Sequence, residues 1–298
     1  MRKVEIVAPS GKVLCTDDIA KVASYFEKRG WSAKLASGVY DGYQRFAGKN
    51  DQKRLEEFNH ATVDKGNDLV LSARGGYGMN RILPHIEFDR IYEKGTWVAG
   101  FSDITLFSLA YLAKVGGRSL HAPTASVLGK EATDPWTISE FFRALTVRKY
   151  GISFPTVAQD FYSEGILWGG NLTVLTSLLG TEFFPKIKGG ILFLEDVGEP
   201  AYKIERSLLQ LVQSGVISQQ SCVILGDFTG IRYSGHDFGY NLDEALNYFL
   251  SLAKKPVIKG LPFGHTERMC TLVIGSKASI EVSDRVAKLV IYDGPELI

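Results

Sequence analysis

A chain of 298 residues with 45% hydrophobic and 22% charged residues suits one large α/β unit or two domains of ordinary size. Its 34 basic and 33 acidic residues leave a formal net charge of +1, which removes the electrostatic reason to expect a nucleic acid or a membrane surface as partner and points to a small molecule. Charge or glycine breaks the apolar stretches before the roughly 20 residues a membrane span needs, and Glu5 and Pro9 interrupt what could have been a signal-peptide core, so a soluble, cytoplasmic protein is expected.

In chain order, residues 4–8 read as a short apolar strand closed by Pro9. Ile19, Val22, Ala23 and Phe26 then recur at helical spacing behind Asp17 and Asp18, with Gly30 at the C-terminal cap position. Leu69-Val70-Leu71 forms a buried strand that runs into Ser72-Ala73-Arg74-Gly75-Gly76-Tyr77-Gly78. Trp97-Val98-Ala99-Gly100 forms another, which runs into Phe101-Ser102-Asp103 and a helix over residues 104–114. Strands alternating with helices imply a parallel sheet, and ligands of such sheets sit beyond the carboxyl ends of the strands, so these two loops are the first places to seek a site.

The periodic pattern weakens over residues 149–166, where Gly151, Pro155 and Gly165 lie among polar residues, and a crossover between domains is expected there. A second α/β pattern follows, with helices over 172–179 and 204–212 and strands over 191–194 and 222–225. The end is richer in strand, with short runs at 257–258, 272–274, 280–282 and 289–291. The expected fold is α/β in two domains: 1–150 with a parallel sheet, and 151–298 as an α/β domain with a β-rich end.

Several residues could carry chemistry. Ser102 lies at a strand-to-helix turn, where free backbone N–H groups and the helix dipole stabilise developing negative charge, as acyl transfer requires. Serine is also among the best helix caps, and the G-x-S-x-G elbow lacks its second glycine, since position 104 is Ile. Arg74-Gly75-Gly76-Tyr77-Gly78 is flexible backbone able to approach a carbonyl oxygen or a phosphate, or simply to turn. It lacks the Walker pattern and the dinucleotide fingerprint, so no nucleotide cofactor is expected.

The five histidines, His60, His85, His121, His236 and His265, show no H-E-x-x-H spacing and no compact cluster with carboxylates, so no metal is expected. His60 and His85 read as surface residues. His121 is either near a site or bonded to a loop, and His265 sits in a glycine-flanked loop. Leu192-Phe193-Leu194-Glu195-Asp196 ends an apolar strand in two carboxylates, with Glu199 and Glu205 as rivals; a carboxylate there could orient a histidine or be an ordinary loop charge. Cys15, Cys222 and Cys270 lack the close pairing of zinc or redox motifs, and all three are expected to be reduced and buried.

Five segments in order, Ala73-Arg74-Gly75-Gly76-Tyr77-Gly78, Gly100-Phe101-Ser102-Asp103-Ile104-Thr105, Leu167-Trp168-Gly169-Gly170-Asn171-Leu172, Phe193-Leu194-Glu195-Asp196 and Gly264-His265, resemble the LD-carboxypeptidase family. That family includes muramoyl-tetrapeptide carboxypeptidases and microcin C immunity peptidases, and the likeness runs over nearly the whole chain. It implies Ser102 as nucleophile, His265 as general base and Glu195 as triad acid. Glu195 is preferred to Glu199 because it stands in the matched Leu-Glu-Asp stretch.

The resemblance also implies an oxyanion hole from the backbone N–H groups of Gly76 and Asp103, a triad between the two domains, no cofactor and a homodimer. Tyr77, Trp168 and Asn171 are put forward as substrate-binding residues. The expected activity is release of terminal D-alanine from murein tetrapeptides in cell-wall recycling, across an L-to-D peptide bond. Two alternatives stand beside it: hydrolysis of aminoacyl- or peptidyl-nucleotide amides, and a non-catalytic peptide-binding protein in which Ser102 only caps a helix. Ala122, Thr266 and Val273 depart from the family's usual pattern, in loops that could line the substrate pocket.

Overall fold

The computed structural model describes residues 1–63 and 66–297. In chain order the strands are β1 (Lys3–Val7), β2 (Ser32–Leu35), β3 (Gly42–Tyr43), β4 (Phe46–Ala47), β5 (Leu69–Ser72), β6 (Trp97–Gly100), β7 (Ser119–His121), β8 (Tyr150–Pro155), β9 (Phe161–Asn171), β10 (Ile191–Val197), β11 (Cys222–Thr229), β12 (Val257–Lys259), β13 (Leu272–Ile274), β14 (Lys277–Ser283) and β15 (Val286–Ile291). They form one sheet in the order β13-β7-β6-β5-β1-β2, a second in the order β12-β11-β10-β9-β14-β15-β8, and the small β3-β4 hairpin.

The first sheet is parallel from β2 to β7, as the alternation of strand and helix predicts. β5 is buried at all four positions, as a strand covered by helices on both faces must be. The C-terminal half adds β13 to its edge, antiparallel to β7. The expected early helix is Thr16–Glu27, with Ile19, Val22 and Phe26 inside. The second sheet is parallel through β9, β10, β11 and β12 and antiparallel through β14, β15 and β8.

Residues 149–166 are not the crossover expected from their loss of periodicity. Tyr150–Pro155 is the edge strand β8, with strictly alternating burial, and Phe161–Asn171 is the eleven-residue β9. The outer half of β9 pairs with β14 over residues 161–166 and its inner half with β10 over residues 167–171. Its polar outer half is a solvent-facing strand, a context in which composition mimics loop. Cys15 also departs from expectation: it is exposed, whereas Cys222 and Cys270 are buried free thiols, the former pushed up to about 12 by burial.

The hydrophobic core joins the two sheets. One cluster holds Leu71, Ala99, Phe101 and Leu120 together with Phe193, Ile224 and Phe263, and a second holds Val98, Ile104 and Phe107 together with Trp168, Leu192 and Val223. The loops after β6 and β10 are thereby carried on a common packed support.

Where β9 changes partner, its backbone must pass close to β10. Gly169 has φ +138°, and a β-carbon there would lie 1.9 Å from the Phe193 carbonyl oxygen. Gly116, at φ +66°, has nothing within 4 Å of its β-carbon position. Gly116→Ala should therefore cost only the left-handed backbone penalty of roughly 1–2 kcal/mol, while Gly169→Ala must also move a strand and should cost more than about 3 kcal/mol. Urea unfolding of the two variants checks the order, and equal losses would contradict it.

Candidate active site

Ser102 lies two residues beyond the end of β6 and opens a 3-10 turn, Ser102–Ile104, that runs into the helix Thr105–Val115. It does not cap that helix. The cap positions fall on Phe101 and Ile104, and neither makes a side-chain capping bond. Ser102 instead adopts φ +63°, a left-handed conformation rare for a non-glycine residue and characteristic of strained functional turns.

The Gly-rich loop after β5 lies against this turn. A β-carbon on Gly75 would stand 2.8 Å from Ser102 Cβ and 3.0 Å from its Oγ, so only glycine lets the loop come so near. The Gly75 carbonyl accepts the Gly11 N–H at 2.8 Å, and a planar trans peptide directs the Gly76 N–H to the opposite side. Asp103 is 2% exposed, and its Oδ2 accepts the Met79 N–H at 2.8 Å. Burial pushes its carboxyl up, while the Met79 and Gly78 N–H groups and the charge of Arg54 act against that shift.

Glu195 and His265 meet across 70 residues of sequence. Glu195 Oε2 lies 2.9 Å from His265 Nδ1, with the glutamate 1% exposed and the imidazole side chain 23% exposed. This bond occupies Nδ1 and leaves Nε2 as the ring nitrogen able to take a proton. The imidazole packs on the ring of Phe101, 4.7 Å between centroids, which holds it beside the residue preceding Ser102.

The rival carboxylates are engaged elsewhere. Asp196 accepts from Asn171 Nδ2, Thr173 N, Thr173 Oγ1 and Val197 N, Glu199 pairs with Lys203, and Glu205 accepts from the Tyr240 hydroxyl.

Among the residues put forward for substrate contact, Tyr77 is 43% exposed and stacks near Phe46 and Arg45, so it can line an open face. Trp168 cannot: it is fully buried, with its indole N–H donated to Gln220 at 2.9 Å. Its apolar bulk has been placed in the core, and its polar edge is satisfied there. Asn171 is 4% exposed and uses its side chain to cap the helix Leu172–Ser177 and to bind Asp196. Both are framework residues.

One residue went unnoticed, and of the two readings of His121 the one that put it near the site agrees with the structure. Asp227, at the end of β11, is raised by burial and by the neighbouring charge of Glu195; its only signal is its place after an apolar strand. His121, expected to lie near the site or bond a loop, is fully buried, and neither ring nitrogen has a hydrogen-bond partner among the described residues. It lies against Phe263 and Phe193, at 4.5 and 5.0 Å between ring centroids. Burial, helped by His265, lowers its pKa to about 3. Among the described residues no group of three or more His, Cys, Asp and Glu could hold a metal ion, and no helix is long and apolar enough to cross a membrane.

Comparison with known proteins places these features in context. Residues 4–122 match the model of the LD-carboxypeptidase N-terminal domain and residues 164–280 that of the LD-carboxypeptidase C-terminal domain. A putative carboxypeptidase of Synechocystis is 32% identical over 94% of this chain and 91% of its own. The crystal structure of muramoyltetrapeptide carboxypeptidase from Oxalobacter formigenes superposes with a TM-score of 0.90 at 33% identity, covering 98% of this chain and 99% of that one. The structure of MccF in complex with glutamyl sulfamoyl guanosine gives 0.86 at 21% identity, covering 98% and 96%, a likeness of fold.

The buried His121 makes stability depend on pH. Its folded pKa of about 3 lies below the ordinary value near 6.5 of an unfolded histidine, so between these values the unfolded chain binds the extra proton. Stability is then complete above about pH 6.5 and falls as the pH drops through the window, by about 1.4 kcal/mol per unit and about 2 kcal/mol by pH 5. His121→Gln, which does not titrate, should flatten that part of the profile. Urea midpoints at pH 7 and pH 5 for both proteins provide the check, and an unchanged slope in the variant would assign the acid sensitivity to other groups.

Proposed function

Because the chain belongs to the LD-carboxypeptidase family, we propose that it is a serine peptidase that removes the terminal D-alanine of murein tetrapeptides, with Ser102 as nucleophile, His265 as general base and Glu195 as the acid that orients it. The observation that carries this reading is the buried Glu195–His265 bond, 2.9 Å long, set beside a serine in a left-handed turn at a helix start. Residues 1–150 contribute the nucleophile in this proposal, and residues 151–298 the acid and base.

In the proposed reaction the Ser102 hydroxyl attacks the carbonyl carbon between an L-centre and the D-alanine nitrogen, and His265 Nε2 takes its proton. The Gly76 and Asp103 N–H groups receive the negative charge that builds on the carbonyl oxygen. The C–N bond then breaks, His265 returns the proton to the departing amine, and D-alanine leaves. Water, deprotonated by His265, releases the acyl group and restores Ser102. Glu195, ionised and bonded to Nδ1–H, favours the imidazolium formed at each transfer.

Incubation of the purified protein with murein tetrapeptide should release free D-alanine. Ser102→Ala should lower the rate by several orders of magnitude, as should His265→Ala, and Glu195→Gln should lower it while leaving KM nearly unchanged. Release that survives Ser102→Ala removes the proposed nucleophile. Cleavage of an aminoacyl-nucleotide amide with tetrapeptide left intact would move the substrate to the second class.

A further inference from the structure

A peptidase that removes only a terminal residue must recognise the free carboxylate of that residue. In a bound peptide the carboxylate carbon is three bonds beyond the scissile carbonyl carbon, a separation of roughly 3–4 Å. Its partner must therefore stand in the layer of residues next to the oxyanion donors. The loop that contains Gly76 begins with a half-buried arginine, Arg74. Its Nη1 donates to the Lys12 carbonyl at 2.7 Å and lies 3.7 Å from the β-carbon position of Gly76. One nitrogen is thus fixed on the frame, which orients the planar guanidinium and leaves its other N–H groups available to a carboxylate.

The Lys12 N–H donates to the Arg45 carbonyl at 3.0 Å, so the backbones of Lys12 and Arg45 form the frame on which the Arg74 side chain is held. None of the three has a carboxylate ion-pair partner among the described residues, and the nearby Asp51 is taken by Arg54 and Arg81. The Arg45 guanidinium lies over the ring of Tyr77 in the same glycine loop, 5.4 Å from its centroid, so a second positive charge on that loop favours an anion.

We propose that Arg74 binds the α-carboxylate of the leaving residue, with Arg45 supplying further positive charge on the same loop, and so sets the enzyme's preference for a C-terminal residue over an internal bond. This assignment rests on the hydrolase reading of Ser102. It names Arg74 over Arg232, an exposed arginine that approaches Gly198.

The test compares murein tetrapeptide with its C-terminal amide as substrates for the wild type, Arg74→Met, Arg74→Lys and Arg232→Met. The wild type should favour the acid over the amide by on the order of 10²-fold in kcat/KM, the scale of a charge-assisted bond lost at a desolvated site. Arg74→Met should bring the acid-to-amide ratio close to one, chiefly through KM for the acid. Arg74→Lys should restore part of it, and Arg232→Met should leave the ratio high.

An Arg74→Met enzyme that keeps the wild-type ratio, a wild type that shows no preference, or a ratio lost in Arg232→Met instead would overturn the assignment while D-alanine release still supports the peptidase. A wild type that releases nothing from either peptide would remove the peptidase reading and this inference together.

Discussion

The site depends on the carboxylate of Asp103. Its backbone N–H belongs to the turn that carries Ser102, while its side chain accepts the Met79 N–H at the end of the Gly-rich loop, so one residue ties together the two loops from which both proposed oxyanion donors come. A buried carboxylate is stable only if its charge is compensated, and Arg54 supplies a nearby positive charge. Arg54 is itself 1% exposed, donates to the Pro9 and Ser10 carbonyls and pairs with Asp51. The loops after β1 and β5 and the turn after β6 are thus held by the hydrogen bonds of Asp103 and Arg54. Gly78 belongs to the same arrangement, since a β-carbon there would lie 2.1 Å from Arg54 Nη1.

Around the Glu195–His265 bond, the other titratable groups are pushed toward neutrality. Burial and the charge of Glu195 raise Asp227, and burial and the charge of His265 lower His121 to about 3. The phenylalanine rings of positions 101, 193 and 263 close around His121, and Phe101 also supports His265, so the same apolar layer that excludes water from one histidine positions the other.

The two central parallel strands of the first sheet and their loops were legible because short apolar runs end abruptly in Gly-Gly or Phe-Ser-Asp, and burial on both faces leaves no other role for such runs. The outer half of β9 was not, because its alternating polar residues face solvent on one side and look like loop. Arg54 was also missed: on a polar helix it reads as a solvated charge, and only the fold brings the Pro9 and Ser10 carbonyls and Asp103 to it. The choice of Glu195 over Asp196, Glu199 and Glu205 needed the family resemblance, since what distinguishes it is a partner 70 residues away. Trp168 and Asn171 were read as substrate contacts for the opposite reason: residues that hold the frame of a site and residues that touch its substrate share one stretch of chain.

That shared stretch also bears on the spacing of Ser102 and Glu195. The Asn171 N–H donates to Thr105 Oγ1 at 3.2 Å, three residues beyond Ser102, while Asn171 Nδ2 donates to Asp196 Oδ1 at 3.0 Å, one residue beyond Glu195. A β-carbon on Gly170 would lie 2.7 Å from Thr105 Oγ1 and 2.9 Å from His121 Cε1, so glycine is what lets β9 pass this close to the start of the helix after Ser102. The strand β9 is thus joined to the turn after β6 by one buried bond and to β10 by another. Each bond of this kind contributes only about 1 kcal/mol to stability. Its larger effect is geometric: movement of one sheet against the other would leave the buried Asn171 N–H without its Thr105 partner, while the Asn171–Asp196 bond keeps that strand in place beside Glu195.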